Sequence, residues 1–138
     1  MKIFFAFLFF LSNLQVFSFY NIPFSEKEKK IDGEIKDEEW QNSLTIDKFY
    51  EIMPGENIEP PVKTIVYLSY DEKNFYVAFR CFDPNPEKIR ARYADRDSAF
   101  ADDLVGIFLD TFNDQRNAFE FITNPLGAQM DCTRQDPE

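Results

Sequence analysis

The residues whose types and spacing best suit chemistry lie in one polar stretch between positions 90 and 103, which carries three arginines and four aspartates. Guanidinium and carboxylate groups make paired hydrogen bonds to vicinal hydroxyls, and an aromatic ring stacks on the apolar face of a pyranose. This stretch is therefore a candidate ligand-binding site, of a kind that could hold a sugar. Its predicted ligand-binding residues are Arg90, Arg92, Tyr93, Arg96, Asp97 and Phe100.

The same stretch has two other interpretations. Its arginines and aspartates could pair with each other and order a long loop. Alternatively, Asp97, Asp102 and Asp103 could hold Ca²⁺, a hard cation that binds carboxylate oxygens. No cofactor is required by the sequence, and such a calcium ion would be structural. The segment from Asp110 to Phe121 does not fit a calcium-binding loop, because its sixth position is glutamine and its twelfth is phenylalanine.

Composition excludes several classes of function. Histidine is absent, which removes the usual base of serine and cysteine nucleophiles and the commonest zinc ligand. The formal net charge of −10 argues against nucleic acid as a partner, because neutralising phosphates needs clustered Lys and Arg. A glycoside hydrolase would need two opposed carboxylates. The many acidic residues do not single out such a pair, and most aspartates lie at turns, so binding is favoured over catalysis.

The N-terminus predicts export. Lys2 precedes the apolar run Ile3 to Leu11, which is too short to span a bilayer, and a small residue, Ser18, closes the segment. We therefore expect residues 1–18 to be a signal peptide, with an uncleaved membrane anchor as the alternative. Residues 19–30 are short, charged and unpatterned, which favours a flexible lead-in. The expected location is the periplasm, the outer membrane or the cell surface.

Two cysteines, Cys81 and Cys132, would reach an oxidising compartment on export. They could form a disulfide if their Cα atoms come within about 7 Å of each other. The alternative is that both are small buried residues.

Period-two alternation predicts an all-β fold. The clearest example is Val62 to Tyr70, where Val62, Thr64, Val66 and Leu68 share one face. One helical turn is predicted at Asp37 to Gln41, capped by Asp37. Short strands joined by polar turns indicate an antiparallel β-sandwich, jelly-roll or immunoglobulin-like. The other predicted strands are 44–52, 75–82, 88–92, 104–111, 118–123 and 128–134.

Four ordered motifs carry a resemblance to a known family. The segment Ile31 to Trp40 begins Ile-Asp-Gly and continues through an acidic pair to tryptophan, and it resembles the opening signature of family 9 carbohydrate-binding modules, which are DOMON-like domains. Three later motifs extend the resemblance to about residue 135. They are Tyr70-Asp71 with 74–78; Arg96-Asp97 with Asp102-Asp103; and 109–111 with 119–121 and 124–127.

The resemblance implies a carbohydrate-binding β-sandwich over residues 31–138, similar to modules at the N-terminus of bacterial envelope proteins. We expect this sandwich to be incomplete at its C-terminus, because a strand-like segment ends the sequence. The implied partner is a saccharide, within a carbohydrate-degrading system. The resemblance also leaves open a docking function toward a β-rich region associated with the outer membrane. Trp40 is expected to plug the end of the core rather than stack on a sugar.

Overall fold

Six antiparallel strands form two sheets in the computed structural model, which describes residues 20–135. The first sheet joins β1 (Leu44–Ile46), β2 (Lys63–Tyr70) and β3 (Phe75–Phe82) in that order. The second joins β4 (Val105–Leu109), β5 (Asn117–Thr123) and β6 (Gln129–Gln135). The predicted all-β, antiparallel sandwich-like fold is thus confirmed. The predicted signal peptide, residues 1–18, lies outside the described residues.

Alternation along the strands decides which side chains turn toward the other sheet. Val66 and Leu68 of β2 are buried, as the period-two pattern predicts, and they pair in register with Phe79 and Val77 of β3. In the second sheet, Ile107 of β4 pairs with Phe121 of β5. These inner-facing residues are apolar on both sheets, because each sheet turns this face toward the other across the sandwich.

The segment that precedes the first sheet, predicted to be a flexible lead-in, contacts that sheet in this structure. The backbone N–H of Ser25 donates to the carbonyl of Tyr70 at 2.7 Å, and the N–H of Tyr70 donates to the carbonyl of Pro23 at 3.2 Å. Phe24 packs edge-on against the Tyr70 ring. Backbone pairing and apolar contact hold this stretch, although its sequence shows no strand pattern.

Trp40 ends a one-turn helix, α1 (Asp37–Trp40), and is only 4% exposed. Its ring packs against Tyr67, and the Lys29 ammonium lies 4.7 Å from its centroid. Trp40 is therefore a buried structural residue as expected. It covers the face of the first sheet that carries Tyr67, opposite Val66 and Leu68, rather than plugging the end of the sandwich. Lys36 precedes α1 without a side-chain cap, so the capping role predicted for Asp37 is wrong.

The region between β3 and β4 contains no strand, contrary to the prediction for 88–92. A short 3₁₀ helix (Pro86–Lys88) is followed by an extended chain. The backbone N–H groups of Arg90 and Arg92 donate to the side chains of Asp103 and Asp102 instead of to a neighbouring strand. Strand β1 also ends earlier than predicted, at Ile46, and in the loop that follows Glu51 forms an isolated antiparallel bridge with Ile58. Within residues 20–135, no helix has the length and apolarity needed to cross a membrane.

The β2–β3 turn is organised by one carboxylate. Asp71 accepts hydrogen bonds from the Tyr76 hydroxyl at 2.6 Å and from the backbone N–H groups of Lys73 and Asn74 at 2.8 and 2.7 Å. These bonds favour the charged form, and, with the Tyr76 hydroxyl as the largest cause, they lower the pKa of Asp71 to about 2.

This depressed pKa predicts a loss of stability in acid. The stabilisation by charged Asp71 is complete above the ordinary pKa of 3.8 and is lost as the pH falls toward about 2. In urea titrations across that interval, the free energy of unfolding should therefore fall less steeply for Asp71→Asn than for the wild type. Glu72→Gln, which removes an exposed carboxylate from the same turn, is the control. Equal slopes for Asp71→Asn and the wild type would contradict this role.

Candidate functional site

The loop that joins β3 to β4, residues 83–104, is anchored on the second sheet. Ala99 is fully buried and packs with Ala128 and with Met130 of β6, which is 1% exposed. Met130 pairs in register with Ile122 of β5, so the loop covers the face of this sheet that is turned away from the first sheet. Burying apolar side chains such as Met130 stabilises this arrangement by about 1.5–3 kcal/mol for each.

Two arginines of this loop serve its internal order. The Arg90 guanidinium lies 2.9 Å from Asp103, and this arginine's backbone and side-chain donors lower the pKa of the Asp103 carboxyl. Arg92 pairs at 3.3 Å with Asp102, whose side chain is only 7% exposed. The alternative interpretation of the loop as an Arg–Asp network is therefore confirmed for these two pairs.

Asn124, in the β5–β6 turn, joins this network to the second sheet. Its amide nitrogen donates to the Arg92 carbonyl at 2.8 Å and to Asp102 at 2.9 Å. Its oxygen accepts from the backbone N–H of Leu126 at 3.0 Å and of Ala128 at 2.8 Å. The side chain is buried, with 3% exposure, and its amide nitrogen and oxygen both find all of these partners within the protein.

Arg96 makes different contacts from the other two arginines. Its guanidinium donates to Gln129 at 3.1 Å and pairs with Asp131, both on β6. The neighbouring Asp97 adopts a positive φ of 63°. Its N–H donates to the Gln129 carbonyl at 3.0 Å and its carboxylate accepts from the Asp131 N–H at 3.1 Å. Asp97 thus makes hydrogen bonds with a carbonyl and an N–H on the free edge of β6, the positions at which a neighbouring strand would pair. We call Arg96, Asp97, Gln129 and Asp131 the Arg96 group.

Three members of the Arg96 group (Arg96, Gln129 and Asp131) line an open cleft of about 680 Å³ between the facing sheets. The rest of its wall is mainly apolar, and Phe75 and Phe121 leave 39% and 50% of their surface exposed. Other apolar side chains of the wall are Val77 and Phe79 of β3 and Val105, Ile107 and Leu109 of β4. The cleft therefore combines aromatic surface with a small set of fixed polar groups.

The six predicted ligand-binding residues do not form one site. Arg96 lines the cleft, with Asp97 beside it, whereas Arg90 and Arg92 lie outside it and pair with Asp103 and Asp102. Tyr93 and Phe100 are 88% and 58% exposed and do not line the cleft.

The sequence reasoning missed Gln129, Asp131 and Phe121. A signal was available: Gln129 and Asp131 are polar residues at alternate positions, on the face where neighbouring β5 carries Phe121.

The aspartates proposed as calcium ligands turn to separate partners. Asp97 bonds the β6 backbone, Asp102 contacts Arg92 and Asn124, and Asp103 contacts Arg90. Among residues 20–135, no group of three His, Cys, Asp or Glu side chains is placed to hold a metal ion. The three aspartates therefore do not share one site in this structure, and calcium binding by them stays a prediction.

The predicted disulfide between Cys81 and Cys132 is absent, and both cysteines are free, exposed thiols. Cys132 lies beside Glu120 on the face of the second sheet that is turned away from the first sheet, which holds Cys81, so the two side chains do not meet. The Cys132 thiol instead contacts a carboxylate oxygen of Glu120 at 3.3 Å, and this hydrogen bond raises the pKa of the thiol.

The structure is thus an antiparallel two-sheet fold with an open cleft between the sheets. A scan against protein-family models matches residues 31–126 to the carbohydrate family 9 binding domain-like family. The match covers most of the chain, and the protein belongs to this family. Searches of curated proteins and of solved structures found no match.

The anchoring of the loop predicts a strong effect at Asn124. Asn124→Ala removes four hydrogen bonds and takes this partner from the Arg92 carbonyl and from the N–H groups of Leu126 and Ala128, so we expect a loss of roughly 2–4 kcal/mol in the free energy of unfolding. Urea denaturation monitored by circular dichroism measures this loss. The matched control, Asn85→Ala, changes an exposed asparagine in the same loop and should alter stability by less than about 0.5 kcal/mol. Equal stability of the two variants would show that Asn124 does not anchor the loop.

Proposed function

We propose that this protein is a non-catalytic carbohydrate-binding module whose saccharide lies in the cleft beside the Arg96 group. The observation that carries the proposal is the cleft itself, in a chain that belongs to this family. Its volume of about 680 Å³ falls within the range of small-molecule sites, which are mostly apolar with a few fixed polar groups.

The cleft offers both kinds of contact that a sugar needs. The partly exposed rings of Phe75 and Phe121 provide apolar surface for the C–H face of a pyranose. The Gln129 amide and the Arg96 guanidinium supply donors, and Asp131 supplies acceptors, for the ring hydroxyls. The Arg96 side chain remains 57% exposed despite its pairing, so it is accessible to a ligand.

A hydrolase is less well supported by this geometry. A glycosidase needs one carboxyl group that stays protonated at neutral pH, usually in an apolar environment. Asp131, in the wall of the cleft, is 42% exposed and pairs with Arg96, so it does not lie in such an apolar environment. We therefore propose binding without turnover.

The proposed setting is the envelope of a bacterium, in the periplasm or at the outer membrane, within a system that degrades carbohydrates. The short apolar run from Ile3 to Leu11 after Lys2 supports export, because it has the length of a signal-peptide core.

The second candidate is a docking function for another β-rich polypeptide, such as a region associated with the outer membrane. One observation favours it: in the described part of the chain, β3 and β4 each pair with a single strand, and their backbones make no hydrogen bond on the other side. An extended segment can add to such an edge, with its side chains entering the neighbouring cleft.

Saccharide binding in the cleft predicts a specific effect of Arg96. Loss of a charged hydrogen bond in Arg96→Ala should weaken binding about 10- to 100-fold, measured by isothermal titration calorimetry with a saccharide selected on a glycan array.

Arg90→Ala, an arginine of the same loop outside the cleft, is the matched control and should bind like the wild type. Unfolding curves recorded in parallel separate lost binding from lost folding. Absence of saccharide binding by the folded wild type would refute the function, and unchanged binding by Arg96→Ala would refute this location.

A further inference from the structure

We infer that the cleft selects uncharged saccharides and discriminates against acidic ones, although the adjoining loop is rich in arginine. This inference rests on the proposed saccharide binding and adds the chemical class of the ligand. Three arginines within seven residues would ordinarily indicate a site for carboxylate, sulfate or phosphate groups, which guanidinium binds in a bidentate manner. The contacts of each arginine point to the opposite selectivity.

Each arginine of the loop is already paired with a carboxylate. Arg90 is neutralised by Asp103 at 2.9 Å and Arg92 by Asp102 at 3.3 Å, and neither arginine lines the cleft. Their positive charges are balanced by aspartates of the same loop. Neither guanidinium therefore adds positive charge to the cleft.

Arg96 does line the cleft, but it lies between two carboxylates. Its guanidinium pairs with Asp131 and also lies 4.0 Å from the carboxylate of Asp97. Both carboxylates hold their positions, because Asp97 is bonded to the backbone of β6 and Asp131 is part of that strand. The local charge around Arg96 is therefore negative, although its N–H groups can still donate to a neutral hydroxyl.

The other cation of the cleft wall is also engaged. Lys29 is 7% exposed, and its ammonium donates to the Glu39 carbonyl and lies over the Trp40 ring. The remaining charged residue of the wall, Glu28, is acidic. The wall thus carries two basic residues, Lys29 and Arg96, and two acidic ones, Glu28 and Asp131. Both basic residues already have partners, and a further carboxylate, Asp97, lies next to the wall.

The charge of the whole chain acts in the same direction. With a formal net charge of −10, the protein repels an anionic polymer before contact, and this repulsion weakens as salt screens it. Uncharged oligosaccharides experience no such barrier. Both the local pairing and the long-range field therefore disfavour uronic acids and sulfated sugars.

The test compares matched neutral and acidic ligands on the purified protein. Galacto- and manno-oligosaccharides are titrated beside oligogalacturonate and oligomannuronate of equal length, with glucan and xylan oligosaccharides completing the neutral set. We expect the wild type to bind at least one neutral ligand, and to bind every acidic ligand at least tenfold more weakly. Raising the salt concentration should narrow this difference by screening the repulsion.

A charge variant locates the origin of the selectivity. Asp131→Asn frees one guanidinium contact and should improve binding of the acidic ligands several-fold relative to the neutral ones. Asp103→Asn makes the same change outside the cleft and should leave the ratio unaltered.

The outcomes separate the two claims. Acidic ligands that bind the wild type as tightly as neutral ones, or more tightly, would overturn the selectivity while leaving saccharide binding intact. An unchanged ratio in Asp131→Asn would overturn the role of the Arg96 group. Absence of binding to any saccharide would refute the proposed function, and the selectivity would fall with it.

Discussion

The arrangement of the cleft depends on the way one buried amide holds a long loop against the second sheet. Asn124 lies in the turn between β5 and β6, and its side chain bonds both the Arg92 carbonyl and the Asp102 carboxylate of the loop. Because it is buried, each of these bonds forms away from water, where an unsatisfied partner is costly. This fixation brings Arg96 to the outer edge of β6, and it thereby determines which polar groups reach the space between the sheets.

Each sheet has an outer face that is covered by other parts of the chain and an inner face that borders the cleft. The N-terminal segment and α1 cover one face of the first sheet through Lys29 and Trp40, and the 83–104 loop covers one face of the second through Ala99. The opposing inner faces are also apolar, but they leave an open cleft with partly exposed phenylalanines. An apolar wall that remains accessible is the usual character of a binding site. The family assignment indicates which kind of ligand to test first.

Much of the fold could be predicted from local patterns. The alternation around Val66 placed β2 and its buried face correctly, and the polar turn at Asp71 located the hairpin with β3. The segment 88–92 was predicted as a strand because its residues suit an extended chain. That prediction failed because strand formation requires a partner, and here two aspartate side chains bond the backbone N–H groups. The backbone bonds of Pro23 and Ser25 with Tyr70 had no local signal for a related reason, since they join residues far apart in the sequence.

The candidate site was only partly predictable. Residue types identified the 90–103 stretch, but they did not reveal which arginine faces the cleft, because that depends on how the loop packs on β6. Arg90, Arg92 and Arg96 look equivalent in the sequence, yet only Arg96 meets Gln129 and Asp131. The partners on β6 lie more than thirty residues away along the chain, so no local pattern links them to Arg96.

Mapping saccharide contacts by nuclear magnetic resonance on isotope-labelled protein tests the central claim most directly. Titration with a bound neutral oligosaccharide should shift the amide signals of Phe121, Gln129 and Asp131 and the guanidinium signal of Arg96 more than any others. Shifts centred on Tyr93 and Phe100, with the cleft signals unchanged, would show that the sugar binds the exposed surface of the loop and would contradict the account.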